Sequence, residues 1–162
     1  MSVKQSDKDM VPAMQDMKEI SIATATMKAA SIESMLQPGE KYTLFVASDE
    51  ALATNSPDMK EAMGAKLKDR RVATDFVEGH LVSGMVTPDE MTYGKTLTTM
   101  NGITMKVRNT GGKIMVDDAS LIKAVKTSNG IVYVMDKIPS SIGTMMEQMG
   151  MMPMGSMPTK SG

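Results

Sequence analysis

The second half of the sequence contains short runs of β-forming residues separated by turn signals, and this pattern limits the fold more than any other feature. The runs are Thr96 to Thr99, Ile103 to Arg108, Lys113 to Val116 and Ile131 to Met135. Asn-Gly, Gly-Gly and Ser-Asn-Gly sequences lie between them, and such sequences are typical of tight turns. We therefore expect antiparallel strands in this half, and no array of βαβ units.

The first half of the sequence has mainly helical patterns of apolar residues. Three stretches have the apolar spacing of helices: residues 20–36, 59–63 and 66–82. Between the first two lies a β-rich run, Tyr42 to Val46, followed by Ser48 and Asp49, which are suited to cap a helix. Helices first and strands later indicate an α+β domain.

Size and charge exclude several classes of partner. The 162 residues suffice for one domain that buries roughly 70% of its unfolded surface. With 18 basic and 19 acidic residues there is no broad positive field to attract nucleic acid or anionic lipid. No apolar run is long enough to cross a bilayer, so we expect no membrane insertion. The polar start fits either a cytoplasmic protein or a mature form without its signal peptide.

The sequence shows no recognisable catalytic constellation. Cysteine is absent, which excludes disulfides, thiolate metal sites and cysteine nucleophiles. His80 is the only histidine, and no nucleophile elbow or zinc-protease motif accompanies it. The acidic pairs Asp89-Glu90 and Asp117-Asp118 lie in turn-like sequence, and Asn109 to Lys113 predicts a hairpin turn. We therefore expect a protein that is not an enzyme.

Three sequence blocks, in order, resemble those of the fasciclin (FAS1) domain. They are YTLFVASDEAL (Tyr42 to Leu52), FVEGHLVSG (Phe76 to Gly84) and VKTSNGIVYVMDKIPSSI (Val125 to Ile142). The resemblance covers roughly residues 18–142 and implies an α+β fold, a wedge-shaped β-sandwich flanked by helices. It also implies a place in the periplasm or outside the cell, and a role in binding or adhesion, which favours a mature form here.

His80 falls on the histidine position of this family. We favour a structural role, with the imidazole hydrogen-bonded to backbone near a helix end. Gly79 stands where many members place tyrosine, which argues against an adhesion motif built on a Tyr-His pair. Ser128, Asn129 and Gly130 supply turn chemistry before the last strand, since Asn and Gly tolerate positive φ.

Methionine is the compositional outlier, with 21 residues against two Phe, three Tyr and no Trp. Met27, Met35, Met100, Met105, Met115 and Met135 lie in predicted helices and strands, where core packing explains most of them. Two further sets flank the domain. They are Met10, Met14 and Met17 before it, and Met145, Met146, Met149, Met151, Met152, Met154 and Met157 after it.

The flanking sets suggest a copper site. Thioethers are soft and neutral, so clusters of them prefer Cu(I), or Ag(I), to hard cations and to Zn²⁺. This composition is similar to that of methionine-rich periplasmic copper proteins, and we expect a methionine-rich bacterial or archaeal member of the family. The interpretation divides the chain into an N-terminal arm (1–17), a FAS1 domain (18–142) and a flexible methionine-rich tail (143–162), with ligands from both ends. Its partners would be copper ions or a copper-handling protein, for storage, delivery or tolerance.

The flanking methionines also fit roles that need no metal. Met10, Met14 and Met17 have the i, i+4, i+7 spacing of one helix face, as do Met145, Met149 and Met152, so each set could pack on the domain. Methionine surfaces could bind a protein or cell-surface partner, as adaptable surfaces do. Exposed methionines could also act as sacrificial sites of oxidation.

Overall fold

A computed structural model of the protein describes residues 3–53, 69–92 and 94–139. The helices in these ranges are α1 (Met10–Gln15), α2 (Ser21–Ala29), α3 (Asp49–Ala53) and α4 (Arg70–Glu78). Short 3-10 turns lie at Lys18–Ile20, Ile32–Ser34 and Pro88–Glu90. The strands are β1 (Val3–Gln5), β2 (Tyr42–Ala47), β3 (Leu81–Ser83), β4 (Thr96–Thr98), β5 (Thr104–Thr110), β6 (Lys113–Val116), β7 (Ala119–Thr127) and β8 (Gly130–Met135).

These strands form one mixed sheet. Seven of them are hydrogen-bonded in the order β3-β2-β8-β7-β6-β5-β4. The eighth strand, β1, also pairs with β7. The pairs β2–β8 and β1–β7 are parallel, and the other pairs are antiparallel. The predicted α+β class is confirmed, with the strand of the first half inserted beside the last strand of the second half.

The core is built around the parallel pair β2 and β8. Every residue of both strands is buried, which requires cover on both faces of the sheet. The rings of Phe45 and Tyr133 stack with their centroids 5.3 Å apart. Helix α1 contacts both β7 and β8, and methionine side chains fill space that aromatic rings occupy in other cores.

The predicted strands of the second half are present, with bounds shifted by a residue or two. In β5 the buried side chains Met105 and Val107 alternate with the exposed Lys106 and Arg108, as the sequence period of two predicts. Strand β7 is an addition that the sequence patterns do not predict. A register shift between Leu121 and Lys123 breaks its alternation of apolar and polar residues.

Two predicted helices differ in length from those observed. The helix over residues 20–36 is divided, because Ser31 adopts a left-handed backbone (φ 60°) after α2. The helix over residues 66–82 ends at Glu78, and Leu81 and Val82 belong to β3, where both are buried. Apolar residues four or five positions apart fit a helix, but they also fit a helix followed by a buried strand. The predicted turn at residues 59–63 lies outside the described residues.

Ser48 and Asp49 cap two different helices. The Ser48 hydroxyl accepts a hydrogen bond from the Ala51 N–H at 3.1 Å, as a cap of α3 does. The Asp49 carboxylate instead accepts from the Ile22 N–H at 2.8 Å and from the Ser21 hydroxyl at 2.5 Å. Asp49 therefore satisfies a free backbone N–H group at the N-terminus of α2. The local sequence around Asp49 does not indicate this contact.

Residues 3–17, the predicted N-terminal arm, pack on the rest of the domain through β1 and α1. Val3–Gln5 pairs in parallel with residues 124–126 of β7, and α1 buries four of its side chains. The Ser6 N–H donates to the Lys126 carbonyl at 2.8 Å, and the Ser128 N–H donates to the Lys8 carbonyl at 3.0 Å. No helix in the described parts of the chain is long and apolar enough to cross a membrane.

Candidate functional site

The structure places the N-terminal set of candidate ligands in the hydrophobic core. Met10, Met14 and Met17 are 0%, 1% and 6% exposed. Their i, i+4, i+7 spacing aligns them along the buried side of α1 and the turn after it, which is the packing alternative left open by the sequence. Since their thioethers lie among apolar side chains, this set does not form a solvent-accessible cluster.

Helix α1 is fixed in this position by the turn between β7 and β8. The Asn129 side-chain oxygen accepts a hydrogen bond from the Met10 N–H at 2.8 Å, at the first residue of the helix. The Ser128 hydroxyl donates to the Asp9 carboxylate. At Gly130, φ is +153° and an added Cβ would lie 2.0 Å from the Tyr42 carbonyl oxygen. The predicted Ser-Asn-Gly turn is therefore also the attachment point of the N-terminal segment.

The C-terminal set lies outside the described residues. It comprises Met145, Met146, Met149, Met151, Met152, Met154 and Met157. The last described residues, Ile138 and Pro139, follow Met135 at one end of β8, whereas Met10 lies beside Gly130 at the other end.

Most other described methionines support the core-packing prediction. Met27, Met91, Met105 and Met135 are buried, and Met35 and Met115 are partly buried. Met100 is the exception among the residues that the sequence analysis named, since it is 41% exposed. It follows β4, where its N–H donates to the Leu81 carbonyl at 2.8 Å and its side chain is left at the surface.

His80 makes the backbone hydrogen bond near a helix end that the sequence analysis expects. It lies between α4 and β3 and is 6% exposed. Its Nδ1 is 2.7 Å from the Phe76 carbonyl oxygen, and the Phe76 ring contacts the imidazole at a centroid distance of 4.6 Å. Burial lowers the pKa of the imidazole to about 4, so the ring is neutral at physiological pH.

The acidic pairs and the glycine-rich segment are turns. Asp117 accepts from the Lys106 N–H at 3.0 Å, and Asp118 lies 3.4 Å from the Lys137 amine. Gly111 and Gly112, both with positive φ, form the two-residue loop of the β5–β6 hairpin. In the described ranges there is no group of three or more His, Cys, Asp or Glu side chains that could hold a metal ion.

A groove that the sequence does not predict lies beside α1. Its volume is about 510 Å³, and its walls come from α1, from residues 33–41 and from the β7–β8 turn. Apolar atoms of Val11, Pro12 and Leu36 line it together with the carboxylates of Glu33 and Glu40. Three separate segments form it, so no local motif could have indicated it.

Comparisons with known proteins give the family of this fold. Residues 18–138 match the model of the Fasciclin domain. The chain is 25% identical over 127 residues to transforming growth factor-beta-induced protein ig-h3 of Sus scrofa, covering 76% of this chain and 18% of the relative. It is 24% identical over 140 residues to human (Homo sapiens) periostin, covering 84% of this chain and 16% of the relative. The chain thus spans less than a fifth of the length of either relative.

A solved structure has the same fold. It is that of a FAS1 domain pair from the insect cell adhesion molecule Fasciclin I, matched with a TM-score of 0.68 and 15% identity. The match covers 80% of this chain and 50% of that chain. The expected resemblance and fold are confirmed, and the chain belongs to the Fasciclin domain family.

Proposed function

We propose that this chain is a Fasciclin-domain binding module that holds Cu(I), or Ag(I), through methionine thioethers of residues 145–157. The observation that carries the proposal is the presence of seven methionines in this short segment of a chain without cysteine. The lone histidine is buried in the domain and does not belong to this segment. The module would serve copper storage, delivery or tolerance in the periplasm or outside the cell, with a copper-handling protein as its partner.

The chemistry of the thioether supports a soft monovalent ion. The sulfur is neutral and polarizable, so several of them satisfy Cu(I) better than they satisfy a hard divalent cation. A thioether has no proton to lose on binding, in contrast to cysteine and histidine. Binding would therefore vary little with pH. A segment that has methionine and no cysteine also forms no disulfides in an oxidising compartment.

Burial of the N-terminal set changes which residues we assign as ligands. Met10 and Met14 have almost no exposed surface, and releasing them would open the core. The proposed ligands are therefore the C-terminal methionines alone, and the site does not require the two ends of the chain to meet.

A competition titration tests this function. Cu(I) is titrated against a chelator of known affinity under reducing conditions, with the full chain and with a variant in which the seven C-terminal methionines are leucine. We expect the variant to lose most of the bound copper, since leucine conserves volume and apolar character but cannot coordinate. A matched control, Met10→Leu with Met14→Leu, should bind as the unmodified chain does. Equal copper binding by all three proteins would refute the assignment.

Protein interaction is a second candidate function, and the groove beside α1 favours it. Three carboxylates, those of Asp9, Glu33 and Glu40, line it together with the amine of Lys41. The Lys41 amine donates a hydrogen bond to the Ser128 carbonyl at 3.0 Å, and the Ser128 hydroxyl donates one to the Asp9 carboxylate. This combination of apolar walls and net negative charge would suit a basic, partly apolar segment of a partner protein.

Peptide binding tests the second function. A labelled peptide of alternating lysine and leucine should bind in a salt-sensitive manner, and its glutamate–leucine counterpart should not. Glu33→Lys with Glu40→Lys should abolish the difference, whereas Glu50→Lys, at an exposed position on α3, should preserve it. Absence of any preference for the basic peptide would contradict this function. Lack of catalysis stays a prediction for either function.

A further inference from the structure

A small cavity lies beside His80, near the end of β8 that is farther from the groove. It has a volume of about 20 Å³, close to the space that one water molecule or ion needs. Its walls include Ala23, Met27, Phe76, His80, Met135 and Ile138. We call it the His80 cavity. Two methionines and the histidine therefore line one small cavity.

Three parts of the fold bring these donors together. Met27 comes from α2, Met135 ends β8, and His80 connects α4 to β3. Met27 and Met135 are each 1% exposed, and His80 is 6% exposed. All three side chains are held by packing in the core, so the site would be rigid before a ligand arrives.

The hydrogen bond to Phe76 fixes the tautomer of the imidazole. A carbonyl oxygen only accepts, so Nδ1 carries the proton and donates it to Phe76, which leaves Nε2 with a free lone pair. Among the described residues, the contact of Nδ1 with the Phe76 carbonyl is the one hydrogen bond shown for the imidazole. A buried acceptor without a partner is uncommon, and a bound ion would satisfy its lone pair. Metal-binding histidines commonly donate their other ring nitrogen to a backbone carbonyl in this way.

We propose that the His80 cavity is a separate site for one Cu(I) or Ag(I) ion, with His80 Nε2 and the sulfur atoms of Met27 and Met135 as ligands. These ligands are neutral and two of them are soft, a set that favours a monovalent coinage metal over Zn²⁺. Among the described residues, no carboxylate lines the cavity to balance a divalent charge, and burying uncompensated charge is costly. The site goes beyond the proposed C-terminal function, since it uses none of residues 145–157.

The experiment uses the full chain in which the seven C-terminal methionines are leucine, so that only the domain can bind. His80 is the only histidine, and a ¹⁵N spectrum of the imidazole therefore reports on it alone. Addition of one equivalent of Ag(I) should shift Nε2 strongly and leave Nδ1 nearly unchanged. Cu(I) titration of the same protein should give one bound ion. Failure of Nε2 to respond, or binding of no ion, would overturn the site.

Matched variants separate coordination from packing. Met27→Leu and Met135→Leu conserve volume, and each should weaken Ag(I) binding at least tenfold. His80→Asn retains a donor for the Phe76 carbonyl but lacks Nε2, and it should also lose binding. Met105→Leu, at a buried methionine elsewhere in the core, should bind as its parent does. Undiminished binding by both ligand-methionine variants would refute the site.

The outcomes for the two copper proposals are distinguishable. Loss of the C-terminal methionines tests the tail and leaves the His80 cavity intact, whereas Met27→Leu and Met135→Leu in the unmodified chain affect the cavity alone. The cavity is supported if Met27→Leu and Met135→Leu remove one bound ion. This holds whether or not the C-terminal methionines bind copper.

Discussion

The side-chain oxygen of Asn129 accepts a hydrogen bond from the backbone N–H of Met10 at 2.8 Å, joining residues near the two ends of the described chain. The same oxygen is 3.2 Å from the Thr127 hydroxyl. Asn129 thus caps the first N–H group of α1 although it lies far away in the sequence.

We expect Asn129→Ala to lower the free energy of unfolding by about 1–2 kcal/mol, the usual cost of removing a helix cap and leaving its donor unsatisfied. Urea unfolding followed by circular dichroism measures the change. Asn129→Asp, which keeps the acceptor oxygen, is the control and should retain most of the stability. A loss as large in Asn129→Asp as in Asn129→Ala would contradict the capping role.

Gly130→Ala should be far more damaging. The new Cβ would lie 2.0 Å from the Tyr42 carbonyl oxygen and 2.9 Å from the Met10 methyl carbon, at a φ of +153°. Because the backbone of β2 must move, we expect a loss above about 4 kcal/mol or a failure to fold. Gly112→Ala is a useful comparison, since φ is +91° but no heavy atom lies within 4 Å of the new Cβ. That variant should lose only about 1–2 kcal/mol, for the left-handed backbone.

Stability should fall in mildly acidic solution because of His80. The folded pKa is about 4, below the ordinary value of 6.5, since burial disfavours the charged ring. As the pH falls below 6.5, His80 becomes protonated in the unfolded chain but stays neutral in the folded chain. The free energy of unfolding therefore decreases until about pH 4. The decrease is about 3 kcal/mol. Urea unfolding of metal-free protein at several pH values measures it, and His80→Asn should show a flatter dependence over the same window.

The ion pair between Glu19 and Lys123 should contribute modestly. The Lys123 amine lies 2.5 Å from the Glu19 carboxylate, with both side chains partly exposed. The hydrogen bond from Lys123 is the main cause that lowers the pKa of Glu19, so this contribution is present above pH 4.5 and is lost as the pH falls through the folded pKa. Glu19→Gln should cost up to about 1 kcal/mol at neutral pH. The more exposed pair of Lys8 and Asp16 provides a control, and Asp16→Asn should change stability less.

Peroxide should oxidise Met100 before the buried methionines of the domain. Its side chain is 41% exposed, whereas Met27 and Met105 are 1% and 0% exposed. Peptide mass spectrometry after brief peroxide treatment gives the order of sulfoxide formation. Early oxidation of Met105 in folded protein would show that the core opens on this timescale.

Local patterns predicted part of this molecule and missed what depends on distant contacts. Strands β5 and β6 follow from alternation and turn residues within their own segments. The role of Asp49 did not follow, because its carboxylate caps α2 and not the helix that it begins. Strand β7 was missed because the shift at Leu121 and Lys123 interrupts its period.

The candidate ligands illustrate the same limit. The spacing of Met10, Met14 and Met17 is equally compatible with a ligand cluster and with a buried helix face, and only the packing of α1 on β7 and β8 distinguishes them. The neighbourhood of Met27, His80 and Met135 arises from three segments that no motif connects. Composition indicated soft-metal chemistry, but it could not indicate where in the domain donors meet.

The parallel pairing of β2 with β8 has a consequence for how the chain folds. Tyr42 pairs with Gly130 and Ala47 with Met135, so the most buried strands of the sheet meet only after nearly all of the domain has been synthesised. Contacts between such distant segments close large loops and slow folding. A nascent chain that stops before residue 130 lacks β8, so β2 is paired with β3 alone and one edge of this fully buried strand is left uncovered.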